Sequence, residues 1–146
     1  MEANSAPGNK PAPTIIHRDD CPLEKAGGGR PVTWRTLLSA DRTPTEKISC
    51  GVTDIPADGP GRTYVCHRHA EPEVYYILAG EGLVLIDGSE YPVREGTAVY
   101  VPGNAEHGMK NTGTTTLSLL YIFPADSFAA VEYEYPDSRP DNRPDK

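Results

Sequence analysis

The stretch Thr63-Tyr64-Val65-Cys66-His67-Arg68-His69, closed by Ala70-Glu71-Pro72 and followed by Glu73-Val74-Tyr75-Tyr76-Ile77-Leu78, decides the fold of this chain. Side chains alternate across a strand, so His67 and His69 project to one side while Cys66 and Arg68 face the other. The turn signal at Glu71-Pro72 leads into a second strand, whose inward set on the same parity is Glu73, Tyr75 and Ile77. A hairpin is therefore expected, bringing two imidazoles and a carboxylate to one point. These are ligands of the kind that hold a divalent transition metal.

Working outward, the spacing reads Gly61-x5-His67-x-His69-x3-Glu73-x6-Gly80, then Gly96-x5-Pro102-x4-His107-x3-Asn111. A lone histidine is most often a surface or hydrogen-bonded residue. Four ligand-type side chains at these intervals, bracketed by glycines where tight turns are needed, form a set that His107 completes from a distant strand. Cys66 adjoins a ligand, but alternation turns it away, and it reads as a buried structural thiol.

The two segments resemble the paired signature motifs of the cupin superfamily. The resemblance implies an all-β fold, an antiparallel double-stranded β-helix or jelly-roll barrel, holding one divalent metal through His67, His69, Glu73 and His107. The second motif usually has glycine two residues after its proline, where this chain has Asn104. Asparagine tolerates a left-handed backbone, so the turn is expected to survive. Three imidazoles and one carboxylate leave up to two positions open on an octahedral ion, which suits Fe(II), Mn(II), Ni(II), Co(II) or Zn(II).

The rest of the chain agrees with one compact domain over residues 14–135. At 146 residues it fits a single core, and strand signals recur at Val32–Leu38, Ile48–Ile55, Gly82–Ile86, Tyr91–Val93, Thr97–Val101 and Thr115–Phe123 with no helical period. Asp87-Gly88 is a strong hairpin turn. Residues 1–13 lack the basic start and apolar run of a signal peptide and read as a disordered leader; the proline- and charge-rich residues 136–146 read as a disordered tail. A formal charge of −7 argues against nucleic acid and anionic membrane surfaces as partners. Three scattered cysteines make no disulfide framework, which points to a reducing cytoplasm.

A metal needs a neighbouring base to name a reaction. Tyr75 shares the inward parity of Glu73, and Tyr133 follows the last core strand, where it is expected to fold over the mouth. A nearby cation would favour the phenolate of either. From Val32-Thr33-Trp34-Arg35 to the segment Phe123-Pro124-Ala125-Asp126-Ser127-Phe128-Ala129-Ala130-Val131-Glu132-Tyr133, the chain resembles the small single-domain cupins that cleave dimethylsulfoniopropionate. That resemblance implies a substrate carboxylate at the metal, a tyrosine base at Tyr75 and a pocket-lining tyrosine at Tyr133, with acrylate and dimethyl sulfide as products. Trp34, Tyr64, Tyr121 and Phe123 offer aromatic faces for a sulfonium. A homodimer acting on a small molecule is implied as well. Three other readings stay open: an isomerase, cyclase or dehydratase of natural-product metabolism, an Fe(II) dioxygenase, and a binding module that does not turn its ligand over.

Overall fold

The computed structural model describes residues 12–136, so the leader and tail readings fall almost wholly outside the described residues. Nine strands are present there: β1 (Glu24–Lys25), β2 (Thr33–Leu38), β3 (Ser49–Ile55), β4 (Glu73–Ala79), β5 (Glu81–Ile86), β6 (Ser89–Arg94), β7 (Ala98–Val101), β8 (His107–Asn111) and β9 (Leu117–Phe123). They form two antiparallel sheets, one of six strands ordered β1-β2-β3-β9-β4-β7 and one of three ordered β6-β5-β8. This is the two-sheet, all-β architecture of the jelly-roll class.

The alternation seen in the sequence becomes the core. On β9, Leu117, Leu119, Tyr121 and Phe123 are buried, and on β4 Glu73, Tyr75 and Ile77 are buried while Tyr76 and Leu78 face out. Val84, Val93, Val101 and Met109 face them from the other strands. Each fully buried apolar side chain of this kind contributes about 1.5–3 kcal/mol relative to exposure.

Turn chemistry sets the register. Ile86 pairs with Ser89 across Asp87-Gly88, and both turn residues have positive φ, 47° and 84°, as a two-residue primed turn requires. Asn104 sits at φ 66°, so asparagine does take the left-handed position expected of it. Its amide donates to the His69 carbonyl at 2.7 Å, which docks the turn of the second motif on the loop of the first.

Two expectations are corrected here. Thr63–His69 is not a strand: the chain makes a 3-10 turn at Gly59–Arg62 and then pairs only through single bridges, His67 with His107 and Arg68 with Glu134. Nor do His67 and His69 form a hairpin with β4, which pairs with β7 and β9. The reason lies at Glu71-Pro72, which carries the chain across from β8 in the small sheet to β4 in the large one. β1 went unforeseen because two residues carry no readable period.

One close approach gives a test. The Tyr121 ring lies across Gly51 on the neighbouring strand, and a Cβ there would collide with the Tyr121 hydroxyl and lie 2.6 Å from the Arg35 carbonyl oxygen. Gly51→Ala is expected to cost about 1–3 kcal/mol by overpacking. A thermal melt superimposable on that of the unmodified protein would refute this placement of the ring.

Candidate metal centre

Glu73 opens β4 and His107 opens β8, so the large sheet supplies the carboxylate and the small sheet one imidazole. His67 and His69 come from the bridging segment between them. The ligand atoms of His67, His69, Glu73 and His107 all lie within 4.8 Å of one another. His69, Glu73 and His107 are buried, at 3%, 4% and 1% exposure, and His67 is half-buried.

Hydrogen bonding aims the rings. The Nδ1–H of His69 donates to the Glu71 carbonyl and that of His107 to the Ala105 carbonyl, both at 2.8 Å. A carbonyl can only accept, so each ring carries a proton on Nδ1 and turns Nε2 toward the cluster. Both Nε2 atoms lie 3.0 Å from the same Glu73 Oε2. Two ring nitrogens this close to one carboxylate oxygen require either a proton in each gap or one cation at the centre. Burial first, then the neighbouring His107, pushes the His67 imidazolium down to about 3, so this ring remains a neutral donor at ordinary pH. The donor set and its outer hydrogen bonds therefore fit a divalent transition ion.

Around the cluster stand aromatic rings. The Tyr133 ring lies 5.1 Å from that of His67 and 5.2 Å from that of His69, and Tyr75 lies 6.0 Å from His107. Burial and then the Glu73 carboxylate raise the Tyr75 phenol well above its ordinary range. The same two causes raise Tyr133. The protein's own groups thus oppose a phenolate at either position.

Tyr133 is held by a strap that follows β9. At one end the Ser39 hydroxyl donates to Asp41, Ser127 donates to Asp41 at 3.1 Å, and the Phe128 amide donates to Ser39 at 2.9 Å. At the other end Arg68 and Glu134 exchange two backbone hydrogen bonds, at 2.8 and 2.9 Å. Between these anchors Phe128, Val131 and Tyr133 turn into a cavity of about 820 Å³ that reaches His67, Glu73 and Tyr75.

Of the aromatic residues expected in the pocket, Trp34 and Tyr121 line this cavity. Phe123 is fully buried behind it, its ring 5.0 Å from that of His69. Tyr64 is elsewhere: its hydroxyl donates to Glu90 at 3.0 Å and the Lys110 ammonium lies 4.9 Å over its ring. The alternation that turns His67 inward also turns Val65 inward, and it puts Tyr64 outside. Cys66 is buried at 4% exposure, and none of the three cysteines is in a disulfide. Phe128 and Met109 on the cavity wall were not singled out, although Phe128 lies in the segment that carries the closer resemblance.

Fold and donor set together define a metal-binding cupin. The Cupin domain profile matches residues 57–123, and the chain belongs to the cupin family. It is similar to the dimethylsulfoniopropionate lyase DddW of Ruegeria pomeroyi, at 39% identity over 134 residues, which cover 88% of this chain and 84% of that one. An oxalate-binding protein of Thermotoga maritima is 36% identical over 97 residues, 66% of this chain and 78% of its own. Among solved structures, the polyketide cyclase RemF from Streptomyces resistomycificus shares the fold with a TM-score of 0.70 at 19% identity, over 90% of each chain. No helix among the described residues is long and apolar enough to cross a membrane.

Proposed function

We propose that this chain is a metal-dependent lyase that performs β-elimination on a small carboxylate of the dimethylsulfoniopropionate kind. The observation that carries the reading is Tyr75 on the wall of the cavity that also reaches the ligand-type residues His67 and Glu73, its ring 6.0 Å from that of His107. The 39% identity to a lyase of that substrate over most of both chains supports it.

His67, His69, Glu73 and His107 would hold the ion. When bound, a divalent ion supplies Lewis acidity for a substrate carboxylate and for charge developing at its α-carbon, and its charge favours the phenolate of Tyr75. The Tyr75 oxygen takes the α-proton. The C–H electron pair becomes the new double bond, and the β-carbon–sulfur pair leaves with dimethyl sulfide, giving acrylate. Tyr133, fixed by the strap, excludes water and orients the substrate. The ring faces of Trp34, Tyr121 and Phe128 suit a sulfonium.

A second reading, an isomerase, cyclase or dehydratase of natural-product metabolism, is favoured by the cavity volume. Both readings need no oxygen, unlike a dioxygenase. Anaerobic incubation of metal-loaded protein with dimethylsulfoniopropionate is expected to release dimethyl sulfide and acrylate in equal amounts. Absence of both, with the metal shown to be bound, would move the protein to the second reading.

A further inference from the structure

The β1–β2 hairpin ends in the run Gly27-Gly28-Gly29-Arg30-Pro31, which supplies no metal ligand. Lys25 pairs with Thr33, and the Ala26 amide donates to the Val32 carbonyl at 2.9 Å, so these five residues form the tip. Gly28 and Gly29 both have φ 71°, a left-handed backbone that glycine adopts without steric cost. A proline after Arg30 disfavours helical backbone at Arg30 itself. The tip is folded around that one side chain: Arg30 Nη1 donates to the Gly27 carbonyl at 2.7 Å, and a Cβ on Gly28 would stand 2.9 Å from the same nitrogen.

The guanidinium so held reaches the strap. Its carbon lies 3.7 Å from the centroid of the Tyr135 ring, a cation–π contact. Tyr135 stacks in turn on Tyr133, with centroids 6.1 Å apart and planes 21° from parallel, as residues two apart on an extended segment can. Tyr133 stands over His67 and His69, and Tyr135 lies 5.8 Å from His67. A continuous stack therefore runs from the hairpin tip to the ligand rings, and Arg30, Tyr133 and Tyr135 all line the cavity. Burial pushes the Tyr135 phenol up, and the Arg30 charge opposes the rise. The anchors of the strap fix the backbone on either side of Tyr133 but leave its ring free to turn. Phe128 meets that ring from within the strap, and Tyr135 meets it from beyond the Arg68–Glu134 bridge.

We infer that Arg30 is a positioning residue of the metal site: stacked on Tyr135, it holds Tyr135 against Tyr133 and so keeps the Tyr133 ring over His67 and His69. A cation–π contact at a partly buried site shifts such an equilibrium about tenfold. With the stack broken, the rings leave the ligands uncovered for more of the time, and an ion held there meets solvent more readily. This deepens the reading of Tyr133 as the group that orients substrate and excludes water, but it rests on the metal cluster and not on the elimination.

The test is a double-mutant cycle on the manganese-loaded full chain, with Arg30→Ala, Tyr135→Leu and the two together, read by the rate of manganese release into excess chelator. All three are expected to load as much manganese as the unmodified protein, since the four ligands are untouched. Arg30→Ala is expected to release the ion about tenfold faster, and Arg30→Lys, which keeps a cation but not the planar fork, about threefold faster. In the Tyr135→Leu background the loss of Arg30 should add less than about twofold, because its effect passes through that ring. Release from Arg30→Ala within about twofold of the unmodified rate, or effects that multiply in the double variant, would overturn the inference. With dimethylsulfoniopropionate the same non-additive pattern is expected in kcat/KM. The elimination reading fails separately: if the unmodified, manganese-loaded protein does not turn this substrate over, that reading falls, and the release rates still decide the role of Arg30.

Discussion

Replacing Tyr75 with phenylalanine is expected to lower turnover by about two to four orders of magnitude, the usual scale for losing a general base. The substitution keeps the ring, which is buried at 5% exposure against the core, and removes only the hydroxyl beside Glu73. Fold and metal content should therefore persist. The rise of the phenol imposed by burial and by Glu73 sharpens the test, because a base at this position depends on a cation held by the cluster. A steady-state assay paired with elemental analysis checks it. Full activity in Tyr75→Phe with the metal retained would remove the tyrosine mechanism. Tyr133→Phe should cost less, since Tyr133 approaches the ligands from the strap and contributes position more than proton transfer.

The second large effect is on metal uptake. His69→Ala removes one of the two imidazoles that face the Glu73 carboxylate and leaves an apolar gap against the Phe123 ring. The remaining three donors should hold no stoichiometric ion after desalting. The unmodified protein should gain about 4 kcal/mol of stability at a free ion concentration some thousandfold above its dissociation constant, and the variant should gain none. Melting curves with and without added Mn(II), with metal analysis of the same samples, provide the check. His17→Ala is the control: His17 is exposed and its ring accepts only from the Asp19 amide, at 3.1 Å. A full equivalent of metal in His69→Ala would show that the ligand set is wrong.

What the sequence by itself determined were the features that depend on a few neighbouring residues. The parity of Glu73, Tyr75 and Ile77, the alternation along β9, the two-residue turn at Asp87-Gly88 and the left-handed Asn104 are local consequences of pleat and backbone sterics. The four ligand-type residues were legible as fixed intervals in the chain, although His67 and His69 stand on a bridging segment and not on the strand expected for them. Parity also contained the answer for Tyr64, which shares no side with His67.

Only the tertiary structure decided which elements meet. His67 bridges to His107 rather than to β4, and the strap is anchored through Ser39, Asp41 and Ser127, contacts some 86 to 89 residues apart in sequence. A two-residue strand, a strap whose regular structure is a single 3-10 turn at Phe128–Ala130, and the length of a cavity between two sheets leave no period in the chain. They arise from long-range pairing, in which partners are chosen by the packing of the whole core and not by the residues beside them.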